Sequence, residues 1–479
     1  MKLSKFLAAI GQDCAQEADV QAISNDNRQL DKHTWWLAAR GVHGHALDYY
    51  RPAQDCAGIF YEPPYDNPPP HAIAVPDLAQ KIGVLADAFY DYPSRQMRLI
   101  GVTGTDGKSS LVHFLAQALD AAMIGTIGYG HLAALQKASH TTPDALRVQQ
   151  LLRQFADEGR QCTAMEVSSH ALVQGRVAAV RFDMAVFSNL SRDHLDYHQD
   201  MEDYFLAKAQ LFARPIRHAL INTDDAYGRR LIEERRIHPQ AEIWSLSAEG
   251  RPLFAAHHQL SAQDVRLNAE GLAFTLHYKG QSQAVQSRLL ARFNVANLLN
   301  VAACLLSGGQ DLAQTAVVLA RLQGVPGRVE KIDLGEGRAA IVDYAHTAGA
   351  IESVLQGIRP HVQGRLWLIF GCGGDRDAGK RPLMAAAAER FADTVIVTDD
   401  NPRSEDPQAI IADIMQGFEA PEKVQIIQPR EAAIRAALEQ LQAGDTLLIA
   451  GKGHENYQII GTSVYEYSDQ TVIRAWKTK

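Results

Sequence analysis

The segment 97–110, MRLIGVTGTDGKSS, carries an apolar run straight into a glycine-rich turn that ends in a lysine and two serines. Met97 to Val102 reads as a short buried strand, and the spacing beyond it predicts a helix opening at Lys108. Gly104 and Gly107 can take backbone angles closed to other residues, which lets amide N–H groups approach an anion. The start of the helix adds the positive end of its dipole. In such a cradle Lys108 would neutralise terminal phosphates and the Ser109 hydroxyl would hold magnesium. The strict GxxxxGK[ST] pattern is not met, because its first glycine would fall on Val102. An ordinary glycine turn between strand and helix is the plainer alternative.

Downstream, apolar runs and helical stretches alternate: Leu111 to Leu119, Cys162 to Val167, Met184 to Phe187 and Ala219 to Asn222. Alternation of this kind favours a parallel α/β sheet. Upstream lie short strand-like runs, the proline cluster Pro63 to Pro70 and an amphipathic helix from Leu78 to Phe89. Past a strand-rich stretch around 255–287 and an apolar helix Val295 to Leu306, a joint at Gln323 to Arg328 contains Gly324, Pro326 and Gly327. A last βαβ series follows, with strands Leu366 to Phe370, Thr394 to Val397 and Thr446 to Ala450 and helices Pro407 to Phe418 and Glu431 to Leu441. We expect three domains, consistent with 479 residues at about 150 per domain. They are a small N-terminal α/β domain (1–94), a central P-loop-type parallel-sheet ATPase domain (95–325) and a C-terminal Rossmann-like domain (326–479).

Composition narrows the class. With 47 basic and 55 acidic residues the net charge is -8, which argues against a nucleic-acid binder or a membrane-surface protein. Five cysteines stand singly, without zinc or disulfide spacing, as in a reducing compartment. The apolar stretch Phe6 to Ile10 is shorter than a signal-peptide core, and no 18 apolar residues run together. A cytoplasmic, monomeric protein without membrane insertion is expected. The charged run Arg229 to Arg236 reads as a solvated helix face.

Two groups of polar residues follow strand ends. Glu166 in MEVSSH and the segment NLSRDHLD at 189–196 belong on the sheet edge beside the phosphate loop. A carboxylate, the His194 imidazole and the Ser109 hydroxyl suit magnesium, and with Lys108 they indicate phosphoryl transfer. Taken singly, Glu166 could cap a helix and His194 could be structural. In the last domain GCGGDRD (371–377), TDDNPR (398–403) and GKGHE (451–455) could converge on one crevice. Arg376 and Arg403 together with Asp400 and Glu455 would suit a zwitterion; loop-tip salt bridges are the alternative.

GTDGKSS, TTP at 141–143, MEVSSHALVQGRV, NLSRDHLDYH, FNVANLL, DYAHT and GKGHE, in this order, resemble the Mur ligases of peptidoglycan synthesis over essentially the whole chain. DNPR at 400–403 resembles the branch that adds diaminopimelate. The resemblance implies an ATP-dependent amide ligase that joins meso-2,6-diaminopimelate to UDP-N-acetylmuramoyl-L-alanyl-D-glutamate through an acyl phosphate, with Mg2+. It implies an ATP site of Gly104, Thr105, Asp106, Gly107, Lys108, Ser109 and Ser110, with Asn294 on the adenine side, Asp343 at the ribose and Arg328 at the γ-phosphate, the last two arriving on domain closure. Ser109, Glu166, His194 and Lys208 would serve the metal, Lys208 after carbamylation; from sequence alone it would pass for a surface lysine. Lys108, Glu166, His194 and Lys208 are the implied catalytic set. His140, Thr141, Thr142, Ser168, Gln174 and Arg176 would hold the muramoyl dipeptide, and Asn27, Arg28 and His43 the uridine end. Arg376, Asp400, Asn401, Pro402, Arg403, Gly451 and Glu455 would hold diaminopimelate.

Departures from the family pattern fall in the substrate regions. Asp106 stands where asparagine is usual and puts negative charge near phosphate, so weaker ATP affinity is expected. The leading domain reads DNR at 26–28 instead of DSR, His140 replaces an asparagine, and DYAHT continues with Ala348-Gly349 in place of Pro-Asp. Two other functions share the central features: a sibling ligase that adds lysine or extends folate with glutamate, and a nucleotide-dependent binding protein without ligation.

Overall fold

The computed structural model describes residues 1–14, 16–41, 44–51, 55–252 and 255–478. They form two compact units, Met1–Leu246 with Leu253–Gln259, and Ser247–Pro252 with Leu260–Lys479.

In the first unit, a four-stranded parallel sheet runs Ala22–Ser24, Thr34–Ala38, Gly58–Tyr61 and Ile73–Ala74. Trp35 and Phe60 stack beneath it at 4.8 Å, against Leu78, Leu85 and Ala86 of the helix Leu78–Phe89. A larger sheet carries, side by side, Glu242–Ser247, His218–Asn222, Met184–Phe187, Arg98–Thr103, Cys162–Glu166, Ala122–Gly125 and Gly128–Gly130. All pair in parallel except the last, an antiparallel return. The strand Arg98–Thr103 therefore sits between Met184–Phe187 and Cys162–Glu166. Its carboxyl end is flanked by theirs, which sets the phosphate loop beside Asn189 and Glu166. These strands are buried on both faces, which explains their unbroken apolar runs.

The second unit contains the antiparallel strands Gly271–Tyr278 and Gln281–Ser287, the helix Phe293–Ser307, and a six-stranded sheet. Its order is Glu330–Gly335, Arg338–Asp343, Thr446–Ala450, Leu366–Phe370, Thr394–Val397 and Gln425–Ile426, parallel except for the first. Helices cover both faces, with one core around Leu355, Phe370 and Ile411 and another around Ile434, Leu438 and Ile473. Thr446–Ala450 inserts between Arg338–Asp343 and Leu366–Phe370, so the strand order reverses there, where crevices open at the carboxyl ends of a doubly wound sheet. A separate hairpin, Tyr457–Ile460 with Ser463–Glu466, follows GKGHE.

Elements expected from the sequence appear with shifted ends. The first helix after the phosphate loop spans Lys108–Leu119, and the helix at Pro407 stops at Met415 instead of Phe418. The charged run at 229–236 lies partly on the helix Ala226–Glu233, where Arg230 bridges Glu202 (2.9 Å) and Glu234 (2.6 Å). No helix among the described residues is long and apolar enough to cross a membrane.

Candidate active site

The helix Lys108–Leu119 begins at Gly107, which has φ 81°, and no side chain caps it. Its neighbours Ala145–Asp157, Ser169–Val173, Met201–Ala209 and Ala226–Glu233 are each capped by an Asp or Ser side chain. The orphan amides of its first turn are thus left for an anion. Gly104 has φ 151°, and a Cβ there would stand 1.9 Å from Ser188 Oγ, so only glycine lets the loop pass. Asn189 fixes the loop by accepting from Thr105 N (3.0 Å) at its carbonyl and from Asp106 N (2.9 Å) at Oδ1. Lys108 Nζ folds back onto the carbonyls of Gly104 (2.9 Å) and Thr105 (2.7 Å).

Beside the loop, Ser109 Oγ donates to Glu166 Oε2 at 3.0 Å, and Thr126 N donates to Glu166 Oε1 at 2.7 Å. Glu166 is buried at the end of its strand. Two hard oxygens about 3.0 Å apart span one edge of an octahedron with about 2.1 Å metal–oxygen bonds, so Ser109 and Glu166 fit a magnesium ion. Gly125 makes room for the carboxylate, since a Cβ there would meet Oε1 at 2.3 Å. Its role could not be read from the sequence because it depends on the approach of a residue 41 positions away in the chain.

Lys208 is 1 % exposed, and its Nζ donates to Gly104 O at 2.7 Å. Burial, reinforced by repulsion from Lys108, holds its amine well below the usual lysine range. The surface-lysine expectation for Lys208 is corrected here: the helix Met201–Ala209 turns it inward under the loop. His194 is exposed with φ 54°, and its Nε2 lies 3.3 Å from Asp193. Partial desolvation of its ring is the main cause of a lowered pKa, which Asp193 opposes and Lys108 and Lys208 reinforce. Among the described residues no three His, Cys, Asp or Glu side chains are gathered to hold a metal.

Five residues expected at the dipeptide form one connected set. Thr141 Oγ1 meets Thr126 Oγ1 at 2.9 Å, and Thr142 Oγ1 donates to Glu166 O at 2.8 Å. Arg176 Nη1 donates to Thr142 O (2.7 Å) and its Nε to Gln174 Oε1 (2.9 Å). Ser168 Oγ accepts from Ala171 N at 3.1 Å and caps a helix. The His140 side chain is exposed, while its carbonyl accepts from Tyr129 Oη at 2.6 Å. Asn27 and Arg28 line a cavity of about 340 Å³ with Asp48, Tyr49, Tyr50 and Arg51. The aromatic pair and Arg51 were not singled out from the sequence, although the run DYYR at 48–51 offered the signal. Arg28 is paired with Asp26 at 2.8 Å. His43 lies outside the described residues.

In the second unit, Asp343 accepts from Val329 N (2.8 Å) and Ala345 N (2.7 Å), and burial raises its carboxyl pKa. The Arg328 guanidinium lies 4.7 Å from the Tyr344 ring centre, and its Nε is buried with no acceptor among the described residues. Asn294 Nδ2 donates to Leu290 O at 2.7 Å. At the crevice of the six-stranded sheet, the segments 371–377, 400–403 and 451–455 meet. Arg403, with φ 52°, donates from Nη1 to Gly374 O at 2.7 Å. Asn401 Nδ2 donates to Glu455 Oε2 at 3.2 Å, Pro402 is buried, and Gly451 passes 3.5 Å from Asp400 Oδ2, measured from where a Cβ would stand. Arg376 is exposed beside them. Lys452, absent from the expected site, is fully buried among Asp400, Asn401 and Glu455.

The middle-domain model of the Mur ligases matches residues 102–305, and the Mur ligase glutamate ligase domain matches 327–453. The chain belongs to the Mur ligase family. Among curated members of that family, the chain is 45% identical to the UDP-N-acetylmuramoyl-L-alanyl-D-glutamate--2,6-diaminopimelate ligase of Xanthomonas campestris pv. campestris strain 8004, over 98% of this chain and 96% of that one. It is 48% identical to the protein of the same name in Ectopseudomonas mendocina strain ymp, over 96% of each. A solved structure of a Mur ligase with that name covers 100% of this chain and 99% of its own, with a TM-score of 0.72 and 34% identity.

Proposed function

We propose that this Mur ligase joins meso-2,6-diaminopimelate to UDP-N-acetylmuramoyl-L-alanyl-D-glutamate at the expense of ATP. The observation that carries the reading is the meeting of DNPR and GKGHE at one crevice, in a chain 48% identical across its length to a ligase of that name. The uncapped helix behind Gly104 would take the ATP phosphates, with Lys108 swinging from its carbonyl contacts onto them. Ser109 and Glu166 would hold magnesium, which would relieve repulsion between the reacting carboxylate and the phosphates. Lys208, its pKa lowered by burial, is suited to carbamylation, and His194 would serve a second ion. Asn294, Asp343 and Arg328 would serve adenine, ribose and γ-phosphate; the unmatched Arg328 Nε favours an anion there. The cavity at Asn27 and Tyr49 would take the uridine end, and Thr141, Thr142, Ser168, Gln174, Arg176 and His140 the dipeptide. We read the regions 1–94, 95–325 and 326–479 as uridine-, ATP- and amino-acid-binding domains of a cytoplasmic monomer.

The D-glutamate carboxylate attacks the γ-phosphorus, releasing ADP and forming an acyl phosphate. The neutral amine of diaminopimelate then displaces phosphate, and exclusion of water protects the intermediate. Arg403 distinguishes diaminopimelate from lysine by a two-pronged pair with the distal carboxylate. Lysine leaves the guanidinium donors not taken by Gly374 O without that carboxylate, a loss of about 2–4 kcal/mol or some 30- to 1,000-fold in kcat/KM. Arg403→Ala should cripple diaminopimelate addition while leaving ATP binding nearly intact; equal activity would remove Arg403 from the pocket. Phosphate release from ATP should require both the UDP-dipeptide and meso-diaminopimelate, with lysine and D-glutamate as inactive controls. Release without the dipeptide would exclude this function.

A further inference from the structure

Lys452 lies under the amino-acid crevice with no exposure to solvent. Its three N–H donors face three acceptors on different residues: Asp400 Oδ1 at 3.4 Å, Asn401 Oδ1 at 3.1 Å and Glu455 Oε2 at 3.4 Å. Asn401 Oδ1 also accepts from Ile459 N at 3.0 Å, on the first strand of the hairpin. Two donors on one amide oxygen decide which way the side chain faces, because the opposite flip would set an NH2 against an ammonium and an amide N–H. Nδ2 is thereby directed to Glu455 Oε2, with its second N–H left as a donor for a carboxylate. The hairpin secures the same segment from the other side. Gln458 Nε2 donates to Asp400 O at 2.6 Å, Arg403 N to Ile459 O at 3.1 Å, and Gly461 N to Arg403 O at 2.7 Å.

We propose that Lys452 is a positioning residue that sets amino-acid selectivity: with Ile459 N–H it locks the Asn401 amide so that a donor, not an acceptor, meets a ligand carboxylate, while tying down Asp400 and Glu455. The inference rests on the reading of the crevice as the diaminopimelate pocket. A cation at this depth also offsets one of the two carboxylate charges, leaving the other to be matched by a ligand ammonium. Hairpin and lysine both hold Asp400 and Asn401, which makes Gln458 an independent handle on the same geometry.

The test compares wild type, Lys452→Met and Gln458→Leu in steady-state ligation with meso-diaminopimelate and with L-lysine. Methionine keeps much of the stem and removes every donor. Loss of charge-assisted hydrogen bonds predicts a fall of about 10- to 100-fold in kcat/KM for diaminopimelate, mostly in KM. KM for ATP and for the dipeptide should stay within about twofold, and the diaminopimelate-to-lysine ratio should drop about tenfold or more. Gln458 is only half-buried, so Gln458→Leu should fold and lower the same ratio by a smaller factor; it decides the matter if Lys452→Met does not fold. An unchanged ratio in the folded variants, or a loss confined to kcat, overturns the role of Lys452. A wild type that turns over no diaminopimelate overturns the assignment of the pocket instead.

Discussion

Burial and the nearness of Lys108 lower the pKa of the Lys208 amine and so favour its neutral form, the form that can add carbon dioxide. The carbamate would convert that amine into an anion at the metal. Lys208→Ala should lower kcat at least about 100-fold with ATP still bound, and wild type in bicarbonate-free buffer should lose activity that added bicarbonate restores. Indifference to both manipulations would retire the assignment. Asp106 poses the opposite problem, an exposed carboxylate two residues before the first helical residue, Lys108, touched by Ser191 Oγ at 3.3 Å. Asp106→Asn should lower the KM for ATP by about two- to fivefold at low salt, a gain that shrinks as salt screens the charge. Type and spacing let GTDGKSS and MEVSSH be read directly for phosphate and carboxylate chemistry, whereas the residues alone made Lys208 a surface lysine. Lys452 and Gly125 were not legible, since each matters only through what the folded chain brings against it.

At the scale of elements, the parallel strands were the most readable. Met184–Phe187, Leu366–Phe370, Thr394–Val397 and Thr446–Ala450 are apolar but for a leading threonine in the last two and run into turn-forming residues, so pattern and burial largely coincide. The hairpin after GKGHE escaped notice because its residues are largely exposed and carry no one-sided pattern. The helix Leu78–Phe89 was also readable from its apolar stripe, yet it buries Asp87, whose Oδ1 has no hydrogen-bond partner among the described residues. Desolvation raises the Asp87 carboxyl to about 6 from 3.8, with Arg95 opposing. The native state then holds this proton more tightly than the unfolded chain does. Stability falls as pH rises from about 4 through about 6 and is level above that, a penalty of about 2–3 kcal/mol at neutral pH. Asp87→Asn should raise Tm at pH 7.5 and have little effect at pH 4, as followed by thermal denaturation; a pH-independent shift would point to packing instead of charge.

For the whole molecule, the phosphate loop belongs to the first compact unit, and DNPR and GKGHE belong to the second. A ligand that binds the native state alone stabilises what it touches, about 2.7 kcal/mol at a hundredfold excess over Kd, so amide exchange can report which unit each substrate engages. With a non-hydrolysable ATP analogue, magnesium and the UDP-dipeptide already saturating, meso-diaminopimelate should add protection at 371–378, 398–405 and 451–461. Protection at 101–110 should already be established by the nucleotide and should not change. Lysine at equal concentration should leave the second set of segments nearly as exchangeable as before, because Arg403 and Asn401 then lack a distal carboxylate. Arg403→Ala should erase the diaminopimelate footprint while keeping that of the nucleotide. Protection by diaminopimelate confined to the first unit would separate the amino acid from this crevice, and with it the chemistry that makes the double-headed substrate the preferred one.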